Sequence, residues 1–149
     1  MKYEISLVPT DQIVRISEAV EKYIDRLPEQ TRGRFTSESI IKSLYEDHRQ
    51  LWIAFNDQDE IKGIIISRIV IYPECRKLRM IYCSGDDMAN WKAQMQTMLE
   101  RFAIDNGCNG LEMTGRKGWT RFLADLGWET TYISYEKNLF KEADYVEVA

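Results

Sequence analysis

The chain has 149 residues, 44% of them hydrophobic and 30% charged, with a formal net charge of −4 at pH 7. A chain of this length can bury roughly two-thirds of the surface that its unfolded form exposes, which is enough for one hydrophobic core. The acidic balance disfavours a general nucleic-acid-binding protein, no apolar run of about 18 residues is present to span a bilayer, and the N-terminus lacks the apolar core of a signal peptide. We therefore expect a single cytoplasmic domain.

The first third of the sequence predicts a strand followed by two helices. Residues 3–7 alternate apolar and polar side chains, as a half-buried strand does. Apolar residues at helical spacing then predict a helix that ends at Pro28, before a polar loop. A second helix begins at about Glu38, with Thr36 or Ser37 as its N-cap.

Three strands follow in succession, and then a long helix. The first strand covers 51–55 and the third covers 78–83. The second, over 61–72, is so rich in β-branched residues that we expect it to be central and covered on both faces. Apolar residues on one stripe predict an amphipathic helix over 88–106.

The last part of the sequence repeats the alternation of strand and helix. A short apolar run between glycines predicts a strand over 111–114, and helical spacing predicts a helix over 118–126. Gly127 stands where a helix C-cap belongs. Residues 128–138 are expected to supply a final strand.

Cysteine and histidine give little support for a metal site or a nucleophilic centre. Cys75, Cys83 and Cys108 are odd in number and form no C-x-x-C pair, so we interpret them as reduced, structural thiols. His48 is the single histidine and lies at a polar helix end. A solvated cation that complements the helix dipole explains it better than catalysis does.

The order of the predicted elements and the run from Gly107-Cys108 to the Gly-Arg-x-Gly-Trp pattern at 115–119 resemble the GNAT superfamily of acetyltransferases. The run also resembles small acetyltransferase-like proteins encoded by tailed phages. The resemblance implies an α/β fold with a mixed central sheet flanked by helices, in the order β-α-α-β-β-β-α-β-α-β. This GNAT-like domain would cover residues 1–140, with 141–149 as a tail or an extra edge strand.

The resemblance implies an acetyl-coenzyme A site in a cleft between two strands that splay apart. Backbone groups of those strands would hold the pantetheine arm, and residues 111–114 would line the far side. The implied cofactor-binding residues are Ile81, Tyr82, Cys83, Ser84, Gly85, Arg116 and Trp119. The same strand residues fit ordinary sheet core and surface equally well.

The sequence departs from the family pattern at two places. The phosphate loop of the family carries a basic or amide residue and two glycines, whereas this chain has only Gly85, followed by Asp86 and Asp87. One carboxylate 4 Å from a phosphate charge would be unfavourable by about 4 kcal/mol at an effective dielectric of about 20, whereas an aspartate N-cap is stabilising by about 1 kcal/mol. We therefore expect Asp86 or Asp87 to cap the 88–106 helix and close its start.

The second departure concerns the general acid. Many GNAT enzymes place a tyrosine four residues before the glycine that ends the last helix, and here that position is Leu123. Tyr82, Tyr132 or Tyr135 could replace it if the fold brings one to the cleft. By position, Glu112 is the candidate general base for an amine. Ordinary packing and surface roles are the alternative for all of these side chains.

The sequence contains two small basic clusters. One comprises Arg116, Lys117 and Arg121 around a predicted turn, and the other comprises Arg76, Lys77 and Arg79 on a predicted hairpin. Such clusters could meet the phosphates of an adenine nucleotide, an RNA backbone or an acidic partner, or could be solvated faces.

Three hypotheses of function follow. The first is a divergent acetyl-coenzyme A-dependent N-acetyltransferase with a degenerate pyrophosphate loop, acting on a small-molecule or protein amine. The alternative is a catalytically inactive GNAT-fold protein that binds an assembly partner, including as a phage virion component, which would place it in the host cytoplasm or the virion. A weaker third hypothesis is a small nucleic-acid-binding protein, which the net charge opposes.

Overall fold

The computed structural model describes residues 2–116 and 118–140. The chain divides after Thr114 into two compact units, Met1–Thr114 and Gly115–Ala149. The strands of the first unit are β1 (Tyr3–Val8), β2 (Gln50–Asn56), β3 (Ile61–Ile71), β4 (Arg76–Gly85) and β5 (Gly110–Met113). Its helices are α1 (Ile13–Ile24), α2 (Leu27–Gln30), α3 (Ser37–Glu46) and α4 (Met88–Asp105), with a 3-10 turn at Thr10–Gln12. The second unit contains α5 (Gly118–Ala124).

The strands form one mixed sheet in the order β1-β2-β3-β4-β5. Each neighbouring pair among the first four strands is antiparallel, whereas β5 runs parallel to β4 after the crossover through α4. The predicted fold class, a mixed sheet flanked by helices, is therefore confirmed. None of the helices within the described residues combines the length and the apolar character that a membrane span needs.

The sheet is covered on both faces, and β3 lies in its middle as its β-branched sequence predicts. Ile64 and Ile66 belong to the core beneath α1, α2 and α3. Ile65 alternates to the opposite face, where α4 packs, and is 3% exposed. On that face the rings of Trp52 and Phe102 meet edge to face with centroids 5.3 Å apart. Burial on both faces explains why the segment is nearly continuously apolar.

The start of α3 follows the predicted capping chemistry. The Thr36 side chain accepts a hydrogen bond from the Ser39 amide, and the Ser39 side chain accepts one from the Thr36 amide. This reciprocal capping box satisfies two amides that the first turn of a helix leaves without partners. The prediction of Thr36 as the N-cap is confirmed.

The predicted end of the first helix at Pro28 is wrong. The helix α1 ends at Ile24, and Pro28 lies in the first turn of the next helix, α2. Proline is favoured in a first turn because the amide it lacks would have no intrahelical partner there. The expected polar loop therefore begins as a short helix whose Leu27 is buried in the core.

The predicted strand over 128–138 is also wrong, because these residues form no strand or helix. Tyr132, Ile133 and Tyr135 are 92%, 68% and 90% exposed, so no face of the segment is buried. A strand is stabilised by ladder bonds and by packing of alternate side chains, and apolar spacing alone supplies neither. The alternatives for 141–149 lie outside the described residues, and one domain over 1–140 stays a prediction.

Candidate functional site

The ladder between β4 and β5 covers only the first half of β4. It begins where Lys77 pairs with Gly110 and ends where Met80 pairs with Met113, yet β4 continues to Gly85. Residues 81–85 therefore run beyond the β5 ladder on one side, while residues 82–85 stay paired with β3 on the other. We call their backbone groups on the β5 side the free edge; among the described residues no strand pairs with it. A free edge of this kind can accept an extended ligand as an added strand.

A β-bulge in β4 lies directly after the end of the β4–β5 ladder. Ile66 of β3 pairs with Tyr82 and the next residue, Ser67, pairs with Met80, so Ile81 is an additional residue on β4. A bulge bends its strand and increases the local twist. The bulge thus bends β4 directly after the last pair of the β4–β5 ladder, Met80 with Met113.

The loop that follows β4 is fixed to the rest of the first unit by backbone and indole contacts. The Asp86 amide donates to the Lys62 carbonyl at 2.7 Å. The Trp91 indole N–H, from the first turns of α4, donates to the Asp86 carbonyl at 2.7 Å. Trp91 is 1% exposed. The loop between Gly85 and α4 therefore has one defined path.

The expectation that Asp86 or Asp87 caps α4 is wrong. Asp87 is the N-cap residue, but it adopts the left-handed conformation with φ 54° and makes no side-chain capping bond. Its carboxylate instead accepts a 2.9 Å hydrogen bond from the Tyr3 hydroxyl of β1. The Asp86 carboxylate accepts a bond from Arg26 at 3.0 Å. The hydroxyl of Tyr23, on α1, shares its one hydrogen between the Ile61 carbonyl at 3.0 Å and the Asp86 carboxylate at 3.3 Å. Donors from distant parts of the chain have outcompeted the helix amides for both carboxylates.

These contacts change the protonation behaviour of the groups that make them. The hydrogen bond from Arg26 holds the pKa of Asp86 below its usual value, against an opposing effect of partial burial. Burial, with the neighbouring Asp86 charge, raises the pKa of Tyr23 to about 12. Burial and the bond to Asp87 likewise raise the pKa of Tyr3. At neutral pH both phenols are protonated, as hydrogen-bond donors must be.

Tyr82, Cys83 and Ser84 belong to the part of β4 that carries the free edge, and all three are buried. Burial raises the pKa of Cys83 to about 12, so its thiol is not a nucleophile at neutral pH. Ser84 is 2% exposed, and its hydroxyl has no hydrogen-bond partner among the described residues. The Tyr82 ring meets Phe35 edge to face at 6.0 Å and has the Arg49 guanidinium 6.0 Å from its centroid.

Glu112 of β5 lies near the end of the β4–β5 ladder and is bound by two donors. Its carboxylate accepts a hydrogen bond from the Tyr72 hydroxyl at 2.8 Å and forms an ion pair with Arg79 at 3.1 Å. Arg79 also donates to the Thr114 hydroxyl at 2.9 Å. The bond to Glu112 raises the pKa of Tyr72. The Arg79–Glu112 ion pair thus links β4 to β5 next to the end of their ladder.

In the predicted basic cluster on the β3–β4 hairpin, two of the three side chains bind groups of the protein itself. Arg79 is bound to Glu112 and Thr114, and Arg76 donates to the Asn106 carbonyl at 3.1 Å. Both arginines thus fix β4 to neighbouring elements of the first unit.

The remaining predicted site residues belong to the second unit. The Trp119 amide donates to the Arg116 carbonyl at 2.9 Å, and the Trp119 ring packs edge to face on Phe122 at 5.1 Å. Tyr135 is 90% exposed. Lys117, of the basic cluster with Arg116 and Arg121, lies outside the described residues.

The three cysteines and the single histidine all lie in the first unit. Cys83 and Cys108 are buried free thiols and Cys75 is a half-buried one. His48 is exposed just beyond the end of α3. Within residues 2–116 and 118–140 no group of three or more His, Cys, Asp or Glu side chains could hold a metal ion.

Sequence reasoning missed Tyr3, Tyr23 and Arg26 as partners of the loop carboxylates. Tyr23 carried a usable signal, because a tyrosine on an otherwise apolar helix face requires a hydrogen-bond partner for its hydroxyl. The identity of that partner had no signal in the sequence, since Asp86 is 63 residues away.

Comparison with solved structures identifies the fold. An integron cassette protein from the mobile metagenome of V. cholerae matches with TM-score 0.64 at 16% identity, over 100% of this chain and 99% of that one. An aminoglycoside acetyltransferase from an uncultured soil metagenomic sample matches with TM-score 0.66 at 15% identity, over 93% and 97%. Glucosamine-6-phosphate N-acetyltransferase from Arabidopsis thaliana matches with TM-score 0.64 at 12% identity, over 94% and 100%.

No known protein-family profile and no curated protein sequence matches the chain. At identities this low the structural likeness concerns the fold alone. The expected GNAT-like fold is confirmed, and acetyltransferases are among the structures that share it.

Proposed function

We propose that this protein is an acetyl-coenzyme A-dependent N-acetyltransferase. The observation that carries the proposal is the free edge, where β4 continues to Gly85 after its ladder with β5 has ended at Met80. A bulged strand with unpaired backbone groups, leading directly into the start of an 18-residue helix, offers both an edge for an amide-containing arm and helix amides for phosphate.

The residues present fit acetyl-coenzyme A, which when bound would supply an activated acetyl thioester. Backbone groups of 81–85 would hold its pantetheine arm, and the amides of Met88 and Ala89 would face its pyrophosphate. Those amides belong to the first turn of α4 and have no intrahelical acceptor. Among the described residues the side chain of the N-cap residue Asp87 does not cap them, because it accepts from Tyr3 of β1, and the Asp86 carboxylate is bound to Arg26. The unpartnered Ser84 hydroxyl adds a buried polar group beside the same edge.

Proton transfer needs a base for the acceptor amine and a donor for the leaving thiolate. We assign the base to Glu112, which lies on β5 one residue before the end of the β4–β5 ladder. Tyr82 is the candidate donor within the first unit, since it is part of the free-edge segment and carries a phenol. Tyr135 is the candidate within the second unit. Arg116 and Trp119 are proposed as further cofactor contacts, as the family resemblance implies.

A second candidate function is a non-catalytic binding protein with the same fold, including a component of a phage particle. The state of the candidate groups favours it: Glu112 is bound by Tyr72 and Arg79, Tyr82 is 7% exposed, and Cys83 is protonated. Such a protein would present its surface to an assembly partner and would transfer no acetyl group.

Isothermal titration of acetyl-coenzyme A into the purified protein tests the proposal, with ATP as a control ligand that carries phosphates but no pantetheine arm. We expect micromolar binding of acetyl-coenzyme A and weaker binding of ATP. Thiol release in the presence of a panel of primary amines then separates the two candidates. Binding with no release across the panel would favour the non-catalytic function, and no binding would overturn the enzymatic one.

A further inference from the structure

We infer that Arg26 and Tyr3 are positioning residues of the proposed phosphate loop, because they hold the two carboxylates of that loop away from the first turn of α4. The inference rests on the proposed function. It concerns residues that contact the loop carboxylates and that do not themselves touch the reacting atoms.

The geometry places both carboxylates on groups of other elements. Arg26 forms an ion pair with Asp86 at 3.0 Å, and Tyr23 donates to the same carboxylate at 3.3 Å. Tyr3 donates to Asp87 at 2.9 Å. Tyr3 is 5% and Tyr23 is 0% exposed, so both phenols present their hydroxyls from rigid, packed positions.

Without these contacts the same two residues would be expected to close the helix. Aspartate is among the preferred N-cap residues, and its carboxylate normally accepts from the second or third amide of the helix. The second amide of α4, that of Ala89, is one of the two that we propose for the pyrophosphate. A released carboxylate would compete for them and would also repel a phosphate of like charge.

The backbone of Asp87 supports the same interpretation. Its φ of 54° is the left-handed conformation, which residues other than glycine adopt only at a free-energy cost. An extended N-cap conformation would avoid that strain and would allow capping. The Tyr3 hydroxyl is the partner that the Asp87 carboxylate has in the observed conformation.

Arg26 also compensates the negative charge of the loop carboxylates. A loop with two carboxylates and no basic residue of its own is poorly suited to a pyrophosphate. The guanidinium of Arg26, in the turn between α1 and α2, neutralises one of the two charges. Lys22, in the last turn of α1, adds a second positive charge near Tyr23, at 4.9 Å from its ring centroid. The sequence departure at Asp86 and Asp87 is thus balanced by side chains of another element.

A charge-rescue cycle tests the inference. The variants Arg26→Met, Asp86→Asn and the double variant are titrated with acetyl-coenzyme A by calorimetry, and Arg15→Met on the exposed face of α1 is the matched control for loss of one positive charge. We expect Arg26→Met to weaken binding about fivefold, since the ion pair is half exposed and solvent screens the released charge. The double variant should regain wild-type affinity, and Arg15→Met should keep it.

A second arm does not depend on the ligand. Carbon-13 NMR titration of the free protein should show the Asp86 carboxyl titrating at a higher pH in Arg26→Met than in the wild type. A third arm returns to the ligand and tests the other carboxylate: Tyr3→Phe should weaken acetyl-coenzyme A binding, and adding Asp87→Asn should restore it.

The outcomes separate this inference from the proposed function. If the wild type binds acetyl-coenzyme A but Arg26→Met binds equally well, or if Asp86→Asn fails to rescue it, the positioning role is overturned and the proposed function stands. If the wild type binds no acetyl-coenzyme A, both are overturned.

Discussion

Gly63 of β3 and Gly85 of β4 lie directly opposite each other, and the indole of Trp91 fills the space that side chains at both positions would need. A Cβ on Gly85 would lie 2.8 Å from Trp91 Cζ2, from the Gly63 Cα and from the Lys62 carbonyl oxygen. The three atoms nearest to a Cβ on Gly63 would all belong to the Trp91 ring, with Cη2 at 2.9 Å. The glycine pair therefore creates the slot that seats Trp91 and, through its indole N–H, the Asp86 carbonyl.

This slot predicts different outcomes for alanine at the two glycines. Gly85→Ala should lower the free energy of unfolding by about 1–3 kcal/mol in any background, because backbone atoms obstruct its Cβ. Gly63→Ala should be similarly destabilising in the wild type but much less so together with Trp91→Leu, which removes the obstructing ring. Urea unfolding of the single and double variants measures both. Equal costs of Gly63→Ala with and without Trp91 would contradict the packing account.

The buried phenol of Tyr23 predicts a dependence of stability on alkaline pH. Its pKa is raised from 10.0 to about 12 in the folded protein, so the native state favours the neutral phenol. The corresponding stabilisation is complete below pH 10 and is lost as pH rises towards 12; two pKa units correspond to about 2.7 kcal/mol. The wild type should lose up to that much free energy of unfolding relative to Tyr23→Phe between pH 9 and 12. Parallel pH profiles for the two proteins would refute this assignment.

The Arg26–Asp86 pair predicts an effect at the acidic end. Because the pKa of Asp86 is lowered in the folded state, its stabilisation is present above the ordinary aspartate pKa and is lost as pH falls through the folded value. Both side chains are nearly half exposed, at 45% and 48%, so solvent screening limits the contribution to about 0.5 kcal/mol. The stability difference between the wild type and Arg26→Met should be present at pH 7 and decrease as pH falls below the ordinary aspartate pKa. A difference that does not change as pH falls would indicate a packing effect.

The proposed base predicts a kinetic signature at Glu112. Glu112→Gln should lower kcat by about 10² or more while the KM for acetyl-coenzyme A stays near the wild-type value, because a general base acts in the chemical step. Tyr72→Phe removes one donor to the same carboxylate and should have a smaller effect. Steady-state thiol release with a saturating amine measures both variants, and unchanged turnover in Glu112→Gln would remove Glu112 from the mechanism.

Local signals in the sequence predict most of the first unit. The β-branched run at Ile64–Ile66 places β3 in the middle of the sheet, and Thr36 followed by Ser39 marks the start of α3. Both depend on residues close together in the sequence, where periodicity and capping preferences act.

The side-chain environment of the site depends on contacts that are distant in sequence. Asp87 is bound by Tyr3 across 84 residues, and Glu112 by Tyr72 across 40. Local capping preference predicted that the aspartates would close α4, and tertiary donors outweighed it. The free edge is a property of backbone pairing after Met80, which no side-chain pattern encodes.

The most direct test of the central claim compares amide spectra of the nitrogen-15-labelled protein with and without acetyl-coenzyme A. If the free edge and the start of α4 bind the ligand, the largest shifts should fall on residues 81–89, and the amides of 51–55 in β2, which is separated from β4 by β3, should stay unchanged. A spectrum unaltered by saturating ligand, or shifts confined to other parts of the chain, would contradict the account.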